Sequence, residues 1–300
     1  MKAVPYLQTS VFTDTRYRFG GNQLATFWDH EANSGLTAEE MQGIALEMHF
    51  SETSFVFKPV KRECVAKVRI FTPGTELPFA GHPTLGTAFV LRQKNIIPEK
   101  LVSFRLELGI GPVEVSLMGN DTVGMKQPPS KFYETCDRLK AVAEALGLSS
   151  DDVARSPPPQ FVGIGLPFLI VRLKTLDAVR RASPNSAAIE SALHGLRSQE
   201  ILVFSQETTH PESTAHMRVF APTAGVLEDP ATGSAAGPLA AFLYRNSLLP
   251  QEGMSRPIVI EQGYEISRPS RLVVEIVDTD TLQAFVYGAV RLTAEGSFFT

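Results

Sequence analysis

The chain has 300 residues, 43% of them hydrophobic and 20% charged, which is the balance of an ordinary folded protein and excludes a disordered or collagen-like one. Lys plus Arg number 28 against 32 Asp plus Glu, a net charge of −4, without the basic surplus that neutralising nucleic-acid phosphates requires. At about 150 residues per domain the length predicts two domains or one long α/β barrel. No run approaches the roughly 18 apolar residues of a membrane helix. The N-terminal stretch, interrupted by Pro5 and Gln8, does not read as a secretory signal. Cys64 and Cys136 are too few for a disulfide framework and lie outside any CxxC spacing, so a reducing cytoplasm is expected.

Along the chain, the first clear helix opens at Thr37 with Glu40 three residues on, a capping-box spacing, and carries Met41, Ile44, Ala45 and Met48 on one face. Lys67-Val68-Arg69-Ile70-Phe71 alternates charged and apolar side chains and predicts a strand, as do Leu101 to Leu108 and Leu272 to Val277. A helix is expected from about Glu134 to Leu146, ended by Gly147. Two further helices, one from near Thr84 and one from near Thr232, are apolar nearly all round. A helix without a polar face must be enclosed, so the expected fold is α+β: two pseudo-symmetric domains, each a curved, mostly antiparallel sheet or barrel around a central buried helix. The turn-forming Gln127-Pro128-Pro129-Ser130 fits a boundary, giving domains over residues 1–128 and 129–282.

Internal similarity supports two halves. His82-Pro83-Thr84-Leu85-Gly86-Thr87-Ala88 and Asp229-Pro230-Ala231-Thr232-Gly233-Ser234-Ala235 share a pattern at an offset of 229 − 82 = 147, with Phe71-Thr72-Pro73 and Phe220-Ala221-Pro222 upstream of each. In this register Gly86-Thr87 and Gly233-Ser234 are expected in the first helical turns, where amides lack intrahelical partners and a carboxylate can be held. Gly81-His82 and Glu228-Asp229 would then bring an imidazole and a carboxylate to one small anion in a shared cleft, a set suited to proton transfer. No P-loop, dinucleotide fingerprint, nucleophile elbow or zinc-binding His-Glu-x-x-His occurs, so no metal or nucleotide is expected.

These residues resemble the phenazine-biosynthesis isomerase (PhzF-like) family, which has the diaminopimelate epimerase fold. The matching segments are Val11-Phe12-Thr13-Asp14, Gly21-Asn22, Ser51-Glu52-Thr53-Ser54-Phe55-Val56, Glu76-Leu77-Pro78-Phe79-Ala80-Gly81-His82-Pro83-Thr84, Glu228-Asp229-Pro230-Ala231-Thr232-Gly233-Ser234-Ala235, and Glu261-Gln262-Gly263 with Arg268-Pro269-Ser270. Gln23 departs from the Pro common after Gly-Asn in the family. The resemblance implies a last strand, about 283–300, returning to the first domain, and a cofactor-free isomerase acting on a small carboxylate. It also implies a homodimer. Its catalytic glutamate falls on Glu52, with His82 and Asp229 as relay or orienting groups and Gly81, Gly233 and Ser234 as substrate-binding residues.

Glu52 itself is expected at a helix-to-strand junction, where a rigid scaffold can hold a proton-shuttling carboxylate. Two alternatives stand beside this reading. A racemase or epimerase of the same fold would need a pair of thiols at the two helix starts, and none is there. A non-catalytic small-molecule binder would keep the fold without needing Glu52, His82 and Asp229 together.

Overall fold

Short alternating runs become strands and all-apolar runs become enclosed helices in the computed structural model, which describes residues 2–119, 121–249 and 256–300. The chain divides into two compact units, residues 1–126 with 287–300, and residues 127–286. The first contains β1 (Ala3–Thr13), β2 (Asn22–Phe27), α1 (His30–Asn33), α2 (Ala38–Met48), β3 (Glu52–Phe57), β4 (Ala66–Phe71), β5 (Glu76–Leu77), α3 (Gly81–Gln93), β6 (Ser103–Leu108), β7 (Gly111–Met118) and β8 (Thr122–Lys126). The second contains β9 (Lys131–Thr135), α4 (Leu139–Ala145), β10 (Gln160–Gly163), β11 (Pro167–Arg172), α5 (Leu176–Arg181), α6 (Ser186–Leu193), β12 (Ile201–Ser205), β13 (Ala215–Ala221), β14 (Val226–Asp229), α7 (Gly233–Arg245), β15 (Ile258–Gln262) and β16 (Ser270–Asp278). The last strand, β17 (Gln283–Phe299), begins in the second unit and ends in the first.

In the first unit the strands run β1–β2–β3–β4–β6–β7–β8, with β5 as a short hairpin partner of β4. β17 pairs antiparallel with β1 from Ala3↔Phe299 to Thr13↔Ala289, and it also lies beside β8, which closes the sheet into a barrel. The sheet is mixed rather than purely antiparallel, because β2–β3 and β4–β6 are parallel pairs. Each of these needs a crossover: α1 and α2 make the first and α3 the second. The first crossover packs outside the barrel, where Met41, Ile44 and Ala45 of α2 meet Ala25, Phe27, Phe55 and Phe71. Thr37 and Glu40 form the expected reciprocal cap on α2, at 3.1 Å and 2.7 Å.

α3 takes the interior. It touches β1, β2, β3, β7 and β8, and every residue from Gly81 to Leu91 is buried. Its hydroxyls find partners inside: Thr84 donates to the Ala80 carbonyl at 2.7 Å, and Thr87 lies 2.8 Å from Ser54, which donates to Thr26. Such pairing is what makes polar atoms tolerable in an enclosed helix. Gly86 is where the helix comes closest to the wall. A Cβ there would lie 2.5 Å from Leu24 Cδ2 and 3.0 Å from Val11 Cγ2.

The second unit repeats the order as β10–β11–β12–β13–β15–β16, with β14 on β13 and β9 on β10. The parallel pairs fall at the same places, β11–β12 and β13–β15. α4, α5 and α6 pack on one face against Leu169, Val171, Ile201, Val203 and Phe220. α7 lies on the other face, with Phe242 edge-on to Phe204 at 6.0 Å.

Several sequence expectations shift. The strand after Pro128 runs to Thr135, so α4 starts at Leu139 instead of Glu134, although Gly147 does sit at the end with a left-handed φ of +67°. α3 begins at Gly81, three residues before the expected Thr84, which moves Gly86-Thr87 from the first turn into the second. The expected ligand-facing role of Gly86 is therefore replaced by a packing role.

Gly86→Ala is expected to lower the stability of the protein by about 1–3 kcal/mol despite the better helix propensity of Ala, because Leu24 and Val11 are fully enclosed and cannot yield without strain. A chemical denaturation midpoint equal to that of the wild type would contradict this.

Candidate active site

In the first unit, Glu52, Gly81 and His82 come together. Glu52 opens β3 immediately after the turn that ends α2 at His49, which holds a left-handed φ of 54°. Alternation along β3 sends Phe55 outward to α2 and Ser54 inward to Thr87, so Glu52 shares the inward face with Ser54. Its Oε2 lies 3.6 Å from His82 Nε2, on the second residue of α3. His82 Nε2 is also 3.2 Å from the Gln23 carbonyl, which can only accept, so this nitrogen carries the proton. Burial pushes the His82 pKa down to about 3, with the Gln23 bond opposing it, so the ring is neutral near pH 7. His82 is therefore a neutral hydrogen-bond donor next to a carboxylate, not its cationic partner. Glu52 keeps 16% of its side chain exposed against 4% for His82, while its Oε2, the oxygen facing His82, is buried.

Ala80, the N-cap residue of α3, makes no side-chain cap. The first-turn amides of the helix, including Gly81 N and His82 N, therefore receive no side-chain bond from the N-cap residue, although both residues are buried. Pro83, third in the helix, has no amide to leave unsatisfied.

In the second unit, Asp229, Gly233 and Ser234 come together at the start of α7, which likewise has no side-chain cap. Asp229 ends β14 and accepts a short hydrogen bond from Thr232 Oγ1. By helix position Gly233 and Ser234 correspond to Gly81 and His82, not to Gly86 and Thr87. The two proline motifs that align at an offset of 147 thus stand differently: Pro83 is inside its helix, whereas Pro230 is three residues ahead of its own.

Three residues without an assigned role in the sequence reading hold this second set. Gln262, fully buried, accepts from Thr232 N at 2.8 Å and donates to the Asp229 carbonyl at 2.7 Å and Thr232 Oγ1 at 2.9 Å. Gly263, at φ +79°, lies so close to the loop that a Cβ would be 2.5 Å from the Pro230 carbonyl. Gln127 Nε2 donates to the Gly233 carbonyl at 2.8 Å, and the absence of a side chain at Gly237 gives it room. The joint presence of Glu261-Gln262-Gly263 and Asp229-Pro230-Ala231-Thr232 was the only available signal, and their contact needed the β13–β15 pairing to appear.

Behind the loop lies a buried ionic cluster. His216 donates from Nδ1 to Glu261 at 2.8 Å and from Nε2 to Glu265 at 2.9 Å. Arg218 makes a two-pronged contact with Glu228 at 2.9 Å and 2.7 Å and also donates to the Val179 and Ala182 carbonyls. Burial alone would lower the His216 pKa, but the two carboxylates outweigh it and hold it above its ordinary value. Burial likewise works to raise Glu261 and Glu265, and their bonds to His216 lower both instead.

Neither thiol offers racemase chemistry. Burial pushes the Cys64 and Cys136 pKa values up, away from thiolate, and neither residue is at a helix start of α3 or α7. Among the described residues, no group of three or more His, Cys, Asp or Glu is placed to hold a metal ion, and no helix is long and apolar enough to cross a membrane.

The two buried histidines predict opposite pH behaviour. His82 stays neutral while the unfolded chain binds its proton near pH 6.5, so its contribution to stability falls as pH drops from 6.5 toward 3. His216 has a raised pKa, so its contribution is complete below 6.5 and is lost as pH rises through the folded value. Among the imidazole nitrogen NMR signals of the six histidines at about pH 6, the ring lost in His82→Gln is expected to be neutral and the ring lost in His216→Gln doubly protonated. The reverse assignment would overturn the electrostatics described here.

The sequence profile described as "Phenazine biosynthesis-like protein" matches residues 9–294. A trans-2,3-dihydro-3-hydroxyanthranilate isomerase of Pseudomonas aeruginosa is 37% identical over 255 residues, 84% of each chain. A protein named only as an uncharacterized isomerase, from Pasteurella multocida, is 34% identical over 98% of this chain and 93% of its own. The crystal structure of a PhzF-family phenazine biosynthesis protein from Bacillus anthracis superposes with a TM-score of 0.89 at 29% identity, covering all of both chains. A probable proline racemase from Agrobacterium radiobacter, at 10% identity and a TM-score of 0.63 over 99% of this chain and 92% of its own, shares the fold alone.

Proposed function

The chain belongs to the family of phenazine biosynthesis-like proteins and is an isomerase, and we propose that it moves a proton within a small unsaturated or cyclic amino or hydroxy carboxylate. The observation that carries the reading is the carboxylate of Glu52 beside a buried, neutral His82 at an uncapped helix start. Glu52 acts as general base, taking a proton from one carbon, and then as general acid, returning it at another carbon of the same conjugated system. One C–H bond breaks, the double bonds shift, and one C–H bond forms, so atoms and electrons balance without oxidant, reductant or second substrate.

His82 and Asp229 orient the polar groups of the substrate or relay its protons. Because His82 is neutral it does not neutralise Glu52 beforehand, and its one N–H, donated to the Gln23 carbonyl, fixes the ring beside the carboxylate. Gly81, Gly233 and Ser234 are the substrate-binding residues of this reading, because the uncapped start of each of their helices retains partial positive charge that suits a carboxylate. The substrate class follows the name borne by the Pseudomonas relatives, whose substrate is a cyclic amino hydroxy carboxylate.

The test is deuterium incorporation in heavy water, read by mass spectrometry, with trans-2,3-dihydro-3-hydroxyanthranilate and a panel of amino and hydroxy carboxylates. Wild-type protein is expected to label its substrate at carbon, and Glu52→Gln to lower the rate by about 10²-fold or more. Undiminished labelling by Glu52→Gln would remove Glu52 from the role. Binding with no labelling across the panel would favour a non-catalytic binding protein.

A further inference from the structure

Strand register identifies a second carboxyl group in the position of Glu52. Thr53 pairs with Phe71 in the first unit, and Ile201 pairs with Phe220 in the second. On the parallel side, Ala25 stands beside Thr53 and Leu169 beside Ile201. Matching both ladders puts Thr53 on Ile201, and therefore Glu52 on Glu200. The faces agree as well. Ile201 and Val203 face α4 to α6, while Phe204 meets Phe242 of α7, so alternation turns Glu200 toward the side of the central helix, as Glu52 is turned toward α3.

The surroundings have diverged. Glu200 is only 2% exposed. Its Oε1 accepts from Thr223 Oγ1 at 2.6 Å, and its Oε2 has no hydrogen-bond partner among the described residues. Thr223 belongs to the single helical turn Pro222–Ala224, which is exposed at Thr223 and continues through Gly225, at φ +80°, into β14 and so to Asp229. β14 is four residues long and pairs with β13 only across a register shift, at Val226↔Ala221 and Asp229↔Val219. Such an edge has little hold of its own on the turn before it.

We infer that Glu200 is a positioning residue: as a buried tether on Thr223, it fixes the turn that delivers Asp229, and the inference rests on the reading of Asp229 given above. Burial pushes the Glu200 pKa up and the Thr223 hydroxyl opposes this. No cation contributes. Arg172 on β11 donates to the Ser156 carbonyl, and His216 and Arg218 on β13 share the opposite face with Phe220, held by Glu261, Glu265 and Glu228. Arg181 of α5 pairs with Asp177 and Asp152, and Arg180 of α5 donates to Thr209. Arg245 lies over Phe132 at the far end of α7, and Asp229 is engaged by Thr232.

Amide hydrogen exchange of residues 222–232, followed by mass spectrometry, tests the tether without needing a substrate. Glu200→Gln, which can still accept from Thr223, should keep the wild-type protection. Glu200→Ala and Thr223→Val should exchange about ten-fold faster while β12 and β13 stay protected, and Thr223→Ser should restore the wild-type rate. In the labelling assay, Glu200→Ala is expected to lower kcat about ten-fold with KM changed less than about two-fold, and Glu200→Gln to recover most of it. Unchanged exchange in Glu200→Ala, or exchange in Glu200→Gln as fast as in Glu200→Ala, would overturn the inference. If the wild type labels no compound, the functional reading fails, and the exchange of residues 222–232 still decides the tether.

Discussion

Each unit is organised by a helix that has no face to give to water. Enclosing such a helix requires a sheet that curls round it, and in the first unit β17 completes that enclosure by lying against both β1 and β8. The demand is felt at single atoms. Gly86 lets α3 approach Leu24 and Val11, Gly237 leaves space for Gln127, and the Ser54–Thr87–Thr26 hydroxyls satisfy one another where no water could. An enclosed helix still has an end, and its uncapped amides are the polar feature that this packing leaves over. The chemistry proposed for the protein is concentrated at these ends.

The two units meet the cost of polar groups in different ways. Beside α3, burial keeps His82 neutral and Glu52 partly exposed, so no compensating charge is needed. Behind α7, a cluster of His216, Arg218, Glu228, Glu261 and Glu265 is buried, with His216 shared between Glu261 and Glu265 and Arg218 paired with Glu228. Removing one partner from such a cluster leaves an uncompensated charge, which makes the cluster an all-or-none support for the Asp229 loop. Gln262 transmits that support, since it follows Glu261 directly and binds both ends of the loop.

Much of the architecture was legible in the chain. The capping residues Thr37 and Glu40, the alternation in Lys67 to Phe71 and the unrelieved apolarity of the two central helices each state a local preference that the fold did not need to override. The duplication was legible too, but its register was not. Aligning Pro83 with Pro230 matched letters that play different parts, one within a helix and one before it, and so put Gly86 where Gly81 belongs. Hydrogen-bond ladders do not suffer from this ambiguity, because a one-residue slip would turn every buried side chain outward. They equate Glu52 with Glu200 at an offset of 148 and Phe71 with Phe220 at 149, a change of one residue that no single-offset comparison can follow.

By itself the sequence determined the elements and their kind, since periodicity, caps and glycine stops act over a few residues. It also carried the resemblance that marks Glu52, His82 and Asp229. Only tertiary structure decided the state of those groups. Whether an imidazole is neutral, as His82 is, or doubly hydrogen-bonded between carboxylates, as His216 is, depends on what strands distant in sequence bring against it. Desolvation and hydrogen bonding are properties of surroundings, and a residue acquires its surroundings only when the sheet closes.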